Sequence, residues 1–397
     1  MRADGPGRNQ GSPRGVSVRL MLYSRAFAPA TGGMETFGLT LATTLAARGH
    51  AVVVATDTPS DGPEPPMFEV LRRRPVAELA RRARRCDLVH GNGFSLYALP
   101  IAQAARRPLV LTHGGMQAAC LNGSGFHQGQ RCEYVLARCA ALTRREFGSA
   151  ATARRLIRHA MGRAAVHLVA RNVSVSDFVQ RANALPRAVT IHNVANLPPA
   201  AGAAPPRDVN RVAYVGRLET EKGPDVLVRA AAACRRRGIS VGVDLYGDGQ
   251  ERAALVALAA QLGVADSVVF HGRVDQAAVA TAMLRAAAVV VPSACDEAYG
   301  IAAAEALSIG RIAIVSSAGG LPEAIDGLAT AFAVGDADAL ADLMIRATRD
   351  HAWREEQEAK AAVIGRAWTP EAQASAYERV YDEAISGNAR LRPAGEV

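Results

Sequence analysis

Short apolar runs recur along the chain with helix-length segments between them, and no other feature restricts the fold as much. In the first half they fall at residues 19–23, 51–55, 88–90, 109–112 and 166–170; in the second at 211–215, 241–246, 268–270 and 289–291. Most are continuous Val, Ile, Leu and Ala without polar alternation, as expected of parallel strands buried on both faces. Alternation with helices predicts an α/β fold built on doubly wound sheets. The Pro/Ala-rich stretch Leu-Pro-Pro-Ala-Ala-Gly-Ala-Ala-Pro-Pro-Arg-Asp, from Leu197 to Asp208, separates the two blocks, and 397 residues exceed what one core usually serves. We therefore expect a disordered N-terminus over 1–15, one Rossmann-like domain over 16–197, a linker over 198–208 and a second Rossmann-like domain over 209–370. A helix over 371–386 follows, then a mobile tail over 387–397. Ligands of such sheets bind beyond the carboxyl ends of the strands, so a cleft between the two domains is the expected site.

Polar residues cluster at several of those strand ends. After the run 289–291 the chain reads Asp-Glu-Ala-Tyr-Gly-Ile-Ala-Ala-Ala-Glu from residue 296, placing Glu297 on a loop, Gly300 at a junction and Glu305 on a helix closed by Gly310. A glycine there lets an anion approach the free N–H groups of the first helical turn, and the two carboxylates can take sugar hydroxyls. Gly216-Arg217-Leu218 ends another run, with Lys222-Gly223-Pro224 opening the next helix; Lys222 and Lys360 are the only lysines. Two fixed cations at a strand end can neutralise a diphosphate. Near the N-terminus, Gly32 and Gly33 precede a helical pattern over 35–48. Asn92-Gly93 and Thr112-His113-Gly114-Gly115 lie at two further strand ends, where His113 is expected to face the cleft.

The eight-residue spacing of Glu297 and Glu305, with Tyr299 and Gly300 between them, resembles the EX7E motif of the GT4 family of retaining glycosyltransferases, although Glu-Ala-Tyr-Gly stands where Glu-Gly-Phe-Gly is usual. The Gly-Gly loop, Gly-Arg-Leu and Lys-Gly match the same family, and the resemblance covers nearly all of residues 16–386. It implies a GT-B fold, with two doubly wound Rossmann-like domains facing across a cleft. It further implies transfer of a hexose from a nucleotide diphosphate sugar, with a UDP-sugar favoured over a GDP-sugar. The acceptor would be lipid-linked, a saccharide or a small natural product. By resemblance, His113, Arg217, Lys222 and Glu297 are catalytic, with Glu297 on donor-sugar hydroxyls and Glu305 on the ribose. Gly32, Gly33, Gly216, Gly272, Arg273, Val274, Ala298, Tyr299, Gly300 and Ile301 complete the donor site. Asn92, Gly93, Gly114, Met116 and Asn193 belong to the acceptor side. No cofactor and no metal ion are expected. A nucleotide-sugar epimerase on the same architecture and a catalytically silent sugar-nucleotide binder are the alternatives. The absence of a Gly-x-Gly-x-x-Gly turn after an N-terminal strand argues against a nicotinamide dehydrogenase.

Charge is unevenly divided. Residues 1–197 hold 26 arginines against 11 acidic residues, a formal +15, which leaves −6 for the rest of a chain whose total is +9. A basic half suits an anionic partner such as a membrane surface or a phosphorylated acceptor, and the basic amphipathic pattern over 151–165 suits anionic lipid. The arginines lack interleaved aromatics, so nucleic acid is not expected. No apolar run is long enough to span a bilayer, and the expected location is cytoplasmic, in contact with the membrane's cytoplasmic face where the basic domain engages it. Cys120, Cys132 and Cys139 cluster around His127, but without the paired Cys-x-x-Cys hooks of structural zinc, and the segment reads as an acceptor-side loop resembling a Cys-bearing insert of the family.

Overall fold

The computed structural model describes residues 17–30, 32–127, 129–131, 133–195, 197 and 206–389. The expected disordered N-terminus, most of the linker, the tail beyond residue 389 and Cys132 lie outside the described residues.

The first half runs β1 (Arg19–Ser24), α1 (Gly33–Ala47), β2 (Ala51–Thr56), β3 (Glu69–Arg72), α2 (Val76–Ala83), β4 (Leu88–Asn92), α3 (Ala98–Ala105) and β5 (Leu109–His113). It continues through the hairpin β6 (Phe126–His127) and β7 (Gln130–Arg131), then α4 (Leu136–Leu168), β8 (Arg171–Ser174), α5 (Asp177–Asn183) and β9 (Ala188–Thr190). The second half runs β10 (Asp208–Val215), α6 (Pro224–Arg236), β11 (Gly242–Tyr246), α7 (Arg252–Gln261), β12 (Val268–Gly272), α8 (Gln276–Arg285) and β13 (Ala286–Val291). It ends with α9 (Ile301–Ser308), β14 (Ile312–Ser316), α10 (Leu321–Ala324), β15 (Ala331–Phe332), α11 (Ala337–Arg349), α12 (His351–Ala367) and α13 (Pro370–Ala389).

Two sheets result, ordered β3-β2-β1-β4-β5-β8-β9 and β12-β11-β10-β13-β14-β15, and every strand pair within them is parallel. Successive residues of a strand point to opposite faces. Leu20 and Leu22 accordingly pack under α1 and α13, while Met21 and Tyr23 pack on the other face with α2 and α3. In the second sheet Val212, Tyr214, Val243 and Leu245 face α6 and α11. Val289 and Val315 face α9, in a cluster that also takes in Met116, Val175 and Val179 of the first half. The two halves therefore share apolar packing below the cleft.

The C-terminal helix returns to the first half. Tyr377 and Tyr381 of α13 are fully buried there, their hydroxyls bonded to Thr112 Oγ1 at 3.0 Å and His90 Nδ1 at 2.8 Å, and Arg48 clasps Glu378 at the surface.

Several boundaries differ from the sequence reading. Residues 166–168 finish α4, and the strand begins only at Arg171. The segment 120–139 is not simply a loop: it contains β6, β7 and the first turn of α4. β10 starts at Asp208, inside the expected linker, and α13 extends to Ala389, past the expected start of the tail. Helix α4 is broken at Gly148 (φ 79°). On it Ile157 and Met161 are 62% and 55% exposed, because Gly162, Ala165 and Val166 make the packed stripe.

Candidate active site

A cleft of about 550 Å³ lies between the halves, lined by Gly33, Met34 and Gly114 from the first and by Gly216, Lys222, Glu297 and residues 298–302 from the second. Two helix N-termini meet there. α1 begins at Gly33 and α9 follows Gly300, and a Cβ on Gly33 would sit 2.7 Å from Ile301 Cδ1, so a side chain at 33 would have to displace the tip of Ile301. Gly300 takes φ 116° and its missing Cβ would lie 2.5 Å from Leu321 Cδ2; glycine is required there on both counts.

Lys222 is the charged centre of this cleft. Its ammonium lies 2.7 Å from Glu297 Oε1, which also accepts from Ser293 Oγ at 2.6 Å. Burial alone would lower the ammonium pKa, but the charge of Glu297 and the hydrogen bond to it outweigh that, so Lys222 is raised and stays charged. The position is built by the backbone. Lys222 ends a 3-10 turn whose Glu221 carbonyl accepts from the N–H groups of Ala294 and Cys295, and Gly223 (φ 63°) packs so closely that a Cβ would meet Pro292 O at 2.1 Å. Oε1 is thus doubly engaged, whereas Oε2 of Glu297 has no hydrogen bond among the described residues. Burial, then Glu297, push the Cys295 thiol up to about 12, which keeps it neutral beside the pair.

Glu305 sits one turn further along α9, outside the cleft lining, without a side-chain hydrogen bond or ion pair among the described residues; burial raises its carboxyl to about 7. Arg217 is exposed at the end of β10, paired with Glu221 at 2.8 Å, and reaches the cleft's rim rather than its lining. Gly272, Arg273 and Val274 lie at the end of the edge strand β12, also outside the lining, with Gly272 O accepting the N–H of Gly247 at 2.8 Å.

Not every expected residue faces the cleft. The His113 ring is fully buried at the end of β5, with Nε2 2.9 Å from Asn172 Oδ1, and burial lowers it to about 4; it is Gly114 that borders the cleft, under Met34. Nδ1 of His113 is buried without a hydrogen-bond partner among the described residues. Asn92 is likewise buried and holds the glycine loop from behind, its Nδ2 donating to Met34 O and Ser24 Oγ, both at 2.9 Å; Gly93 follows at φ 81°. Gly32 precedes α1 outside the lining, and Met116 is core. The Tyr299 ring is buried, stacked on His192 at 5.1 Å and close to Trp368, so its contribution to the lining is its backbone edge. Asn193, by contrast, lines the cleft with a buried Oδ1 that lacks a partner among the described residues.

Sequence reasoning missed Met34, Glu35, Tyr214 and Ser293. Tyr214 donates its hydroxyl to Arg217 O at 2.6 Å and fixes the turn carrying that arginine. Ser293, at the end of an apolar strand and four residues before Glu297, was within reach of a closer reading.

A second cavity, of about 530 Å³, opens beyond the carboxyl ends of β1, β2, β4 and β5, with Arg25, Asp57, Phe94, Gln117, Arg155 and Arg158 among its walls.

Comparison with known proteins agrees with this arrangement. The sheets and cleft define a GT-B fold: the structure superposes on sucrose-phosphate synthase from Thermosynechococcus elongatus with TM-score 0.68 at 22% identity, covering 93% of this chain and 100% of that one. It also superposes on HepE of Anabaena in complex with UDP and glucose, with TM-score 0.63 at 18% identity and the same coverage. The model of Glycosyltransferase Family 4 matches residues 31–138 and that of Glycosyl transferases group 1 matches residues 201–364. The chain belongs to the group 1, family 4 glycosyltransferases. Among curated relatives, the D-inositol 3-phosphate glycosyltransferase of Frankia alni is 36% identical over 195 residues, 45% of this chain and 47% of that protein. The enzyme of the same name from Mycolicibacterium smegmatis is 34% identical over 148 residues, 36% of this chain and 34% of its own length. The matched segments thus span about half or less of these relatives.

Proposed function

We propose that the chain transfers a hexose from a nucleotide diphosphate sugar, a UDP-sugar in preference to a GDP-sugar, to a hydroxyl of an anionic acceptor, retaining the anomeric configuration. The observation that carries this reading is the Lys222–Glu297 pair, set in a cleft onto which the N-termini of α1 and α9 both open. Fixed positive charge and free N–H groups suit a diphosphate, and a carboxylate with one open oxygen suits a sugar hydroxyl. That HepE was captured with UDP and glucose supports the donor class. The acceptor's charge is argued from the second cavity, where Arg25, Arg155 and Arg158 converge beyond the strand ends of the basic half, and from the phosphate in the name of the curated relatives.

In this reading the acceptor attacks from the face the diphosphate leaves, and a diphosphate oxygen takes the acceptor's proton. Glu297 and Glu305 hold hydroxyls rather than the anomeric carbon, unlike the paired carboxylates of retaining glycosidases. Catalysis is positioning and electrostatic stabilisation by Lys222, Arg217 and the two helix ends. Charge neutralisation by these cations needs no divalent ion in the chemical step, so adding Mg²⁺ or Mn²⁺ leaves turnover unchanged. A thermal-shift panel of nucleotide sugars identifies the donor, and NMR of the product reads its anomeric configuration. An inverted product contradicts same-face attack; conversion of the sugar without an acceptor makes the chain an epimerase.

A further inference from the structure

We propose that Cys120, His127 and Cys139 supply three of the four ligands of a tetrahedral zinc site in the first half of the chain, independent of the reading of the cleft. The three ligands come from separate pieces of backbone. Cys120 closes a turn whose N–H donates to Met116 O, His127 lies on β6, and Cys139 is in the first turn of α4. All three side chains are buried, at 1%, 2% and 0% exposure, and their ligand atoms lie within 4.8 Å of one another.

The separations are 3.1 Å between the two sulfurs, 3.9 Å from Cys120 Sγ to His127 Nε2 and 3.5 Å from Cys139 Sγ to the same nitrogen. Zn–S near 2.3 Å and Zn–N near 2.05 Å in a tetrahedron require edges of about 3.8 Å between sulfurs and about 3.6 Å from sulfur to nitrogen. The triangle meets this on its nitrogen edges, and the sulfurs need part by only about 0.7 Å to meet it fully. A Cys120–Cys139 disulfide would instead require a separation of about 2.05 Å.

The surroundings are those of a metal-bound histidine. His127 Nδ1 faces Glu146 Oε2 at 3.2 Å, which directs Nε2 and its lone pair to the sulfurs. The N–H of Leu121 points at Cys139 Sγ at 3.3 Å, a donor suited to a thiolate. Cys120 Sγ donates to Asn122 Oδ1 at 2.9 Å; that proton and the one on Cys139 pass to solvent when two thiolates bind the ion. Two thiolates with one imidazole favour zinc over calcium or magnesium. The site joins the hairpin segment to α4, and Tyr134, between them, donates to Asp296 Oδ2 of the second half at 2.9 Å, next to Glu297. Pairwise spacing hid this in the sequence, because the ligands follow a turn, a strand and a helix instead of two hooks.

Elemental analysis of the full-length protein, purified from zinc-supplemented medium and desalted, tests it. We expect about one zinc per chain, lost in Cys120→Ser, Cys139→Ser and His127→Ala. Glu146→Gln should keep the stoichiometry with affinity lowered on the order of 10-fold or more. Should the cysteine variants fail to fold, cobalt substitution of the wild-type protein decides: tetrahedral d–d bands with thiolate-to-cobalt charge transfer support the site. Three results overturn it: wild-type protein that takes up neither zinc nor cobalt under reducing conditions, zinc retained by both cysteine variants, or a cobalt spectrum without thiolate bands.

Discussion

Lys222 and Glu297 lie 2.7 Å apart in the cleft, and in the proposed reading they act on one ligand, the first on its phosphates and the second on its sugar. Lys222→Ala is expected to cost on the order of 100-fold or more in turnover with the fold intact, the loss usual for one preorganised transition-state donor. Arg217→Ala should do the same although its side chain is exposed, since a diphosphate can draw it in from the rim. Near-normal steady-state rates in both variants would remove the diphosphate assignment. Glu297→Gln should lower transfer more than nucleotide affinity, and Glu305→Gln should weaken binding of the free nucleoside diphosphate; calorimetry giving the reverse order would exchange their roles. Glu305 also predicts a pH effect. Burial raises its carboxyl from 4.5 to about 7 in the folded chain, so the fold favours the protonated form. Its contribution to stability is full below about pH 4.5 and is lost as pH rises through about 7. Melting temperatures of Glu305→Gln should therefore fall less than those of wild type over that interval.

Helix α13 makes the first half's core depend on the end of the chain. His90, on β4, bonds Tyr381 through Nδ1 and Thr112 through Nε2, and burial holds it at about 3, well below the usual 6.5. Its unfolded form takes up a proton first as pH falls, so stability declines from about pH 6.5 towards 3. Tyr381→Phe leaves one buried nitrogen without a partner and should cost about 1–3 kcal/mol in denaturant unfolding; an unchanged midpoint would mean that α13 docks by apolar contact alone. At this scale the sequence was informative where a residue type is forced. The glycines at 33 and 300 and the cation Lys222 just past a strand end could be read because the residue type and its place between strand and helix suit an approaching phosphate. It was uninformative where packing from distant elements decides. Residues 166–168 look like a strand because a short apolar run does not distinguish a buried strand from the end of a helix. His113 looked exposed to the cleft because nothing local reveals that Asn172 takes its ring inward. Met34 became visible only once the two halves met across the cleft, and Tyr214 only once its hydroxyl was seen on the Arg217 carbonyl.

Across the whole molecule, charge is separated between the halves, +15 against −6, and the exposed side of α4 combines Arg154 and Arg158 with Ile157 and Met161. Among the described residues no helix is long and apolar enough to cross a membrane. The basic, partly apolar face of α4 is where we expect contact with anionic lipid. Flotation with anionic vesicles should show association that weakens as salt screens it, and that is reduced in Arg154→Glu and in the pair Ile157→Ser, Met161→Ser. None of these positions lines the second cavity, which separates lipid contact from acceptor binding. No association at low salt would leave a free, small anionic acceptor as the sole reading. The central claim is that the cleft uses Lys222 to release a nucleoside diphosphate only when an acceptor hydroxyl is present. The most direct measurement is nucleoside diphosphate release from the best-binding nucleotide sugar, with and without a phosphorylated polyol, in wild type and Lys222→Ala. The account predicts release in wild type only with acceptor present, reduced on the order of 100-fold or more in the variant; release independent of acceptor, or equal in both proteins, would contradict it.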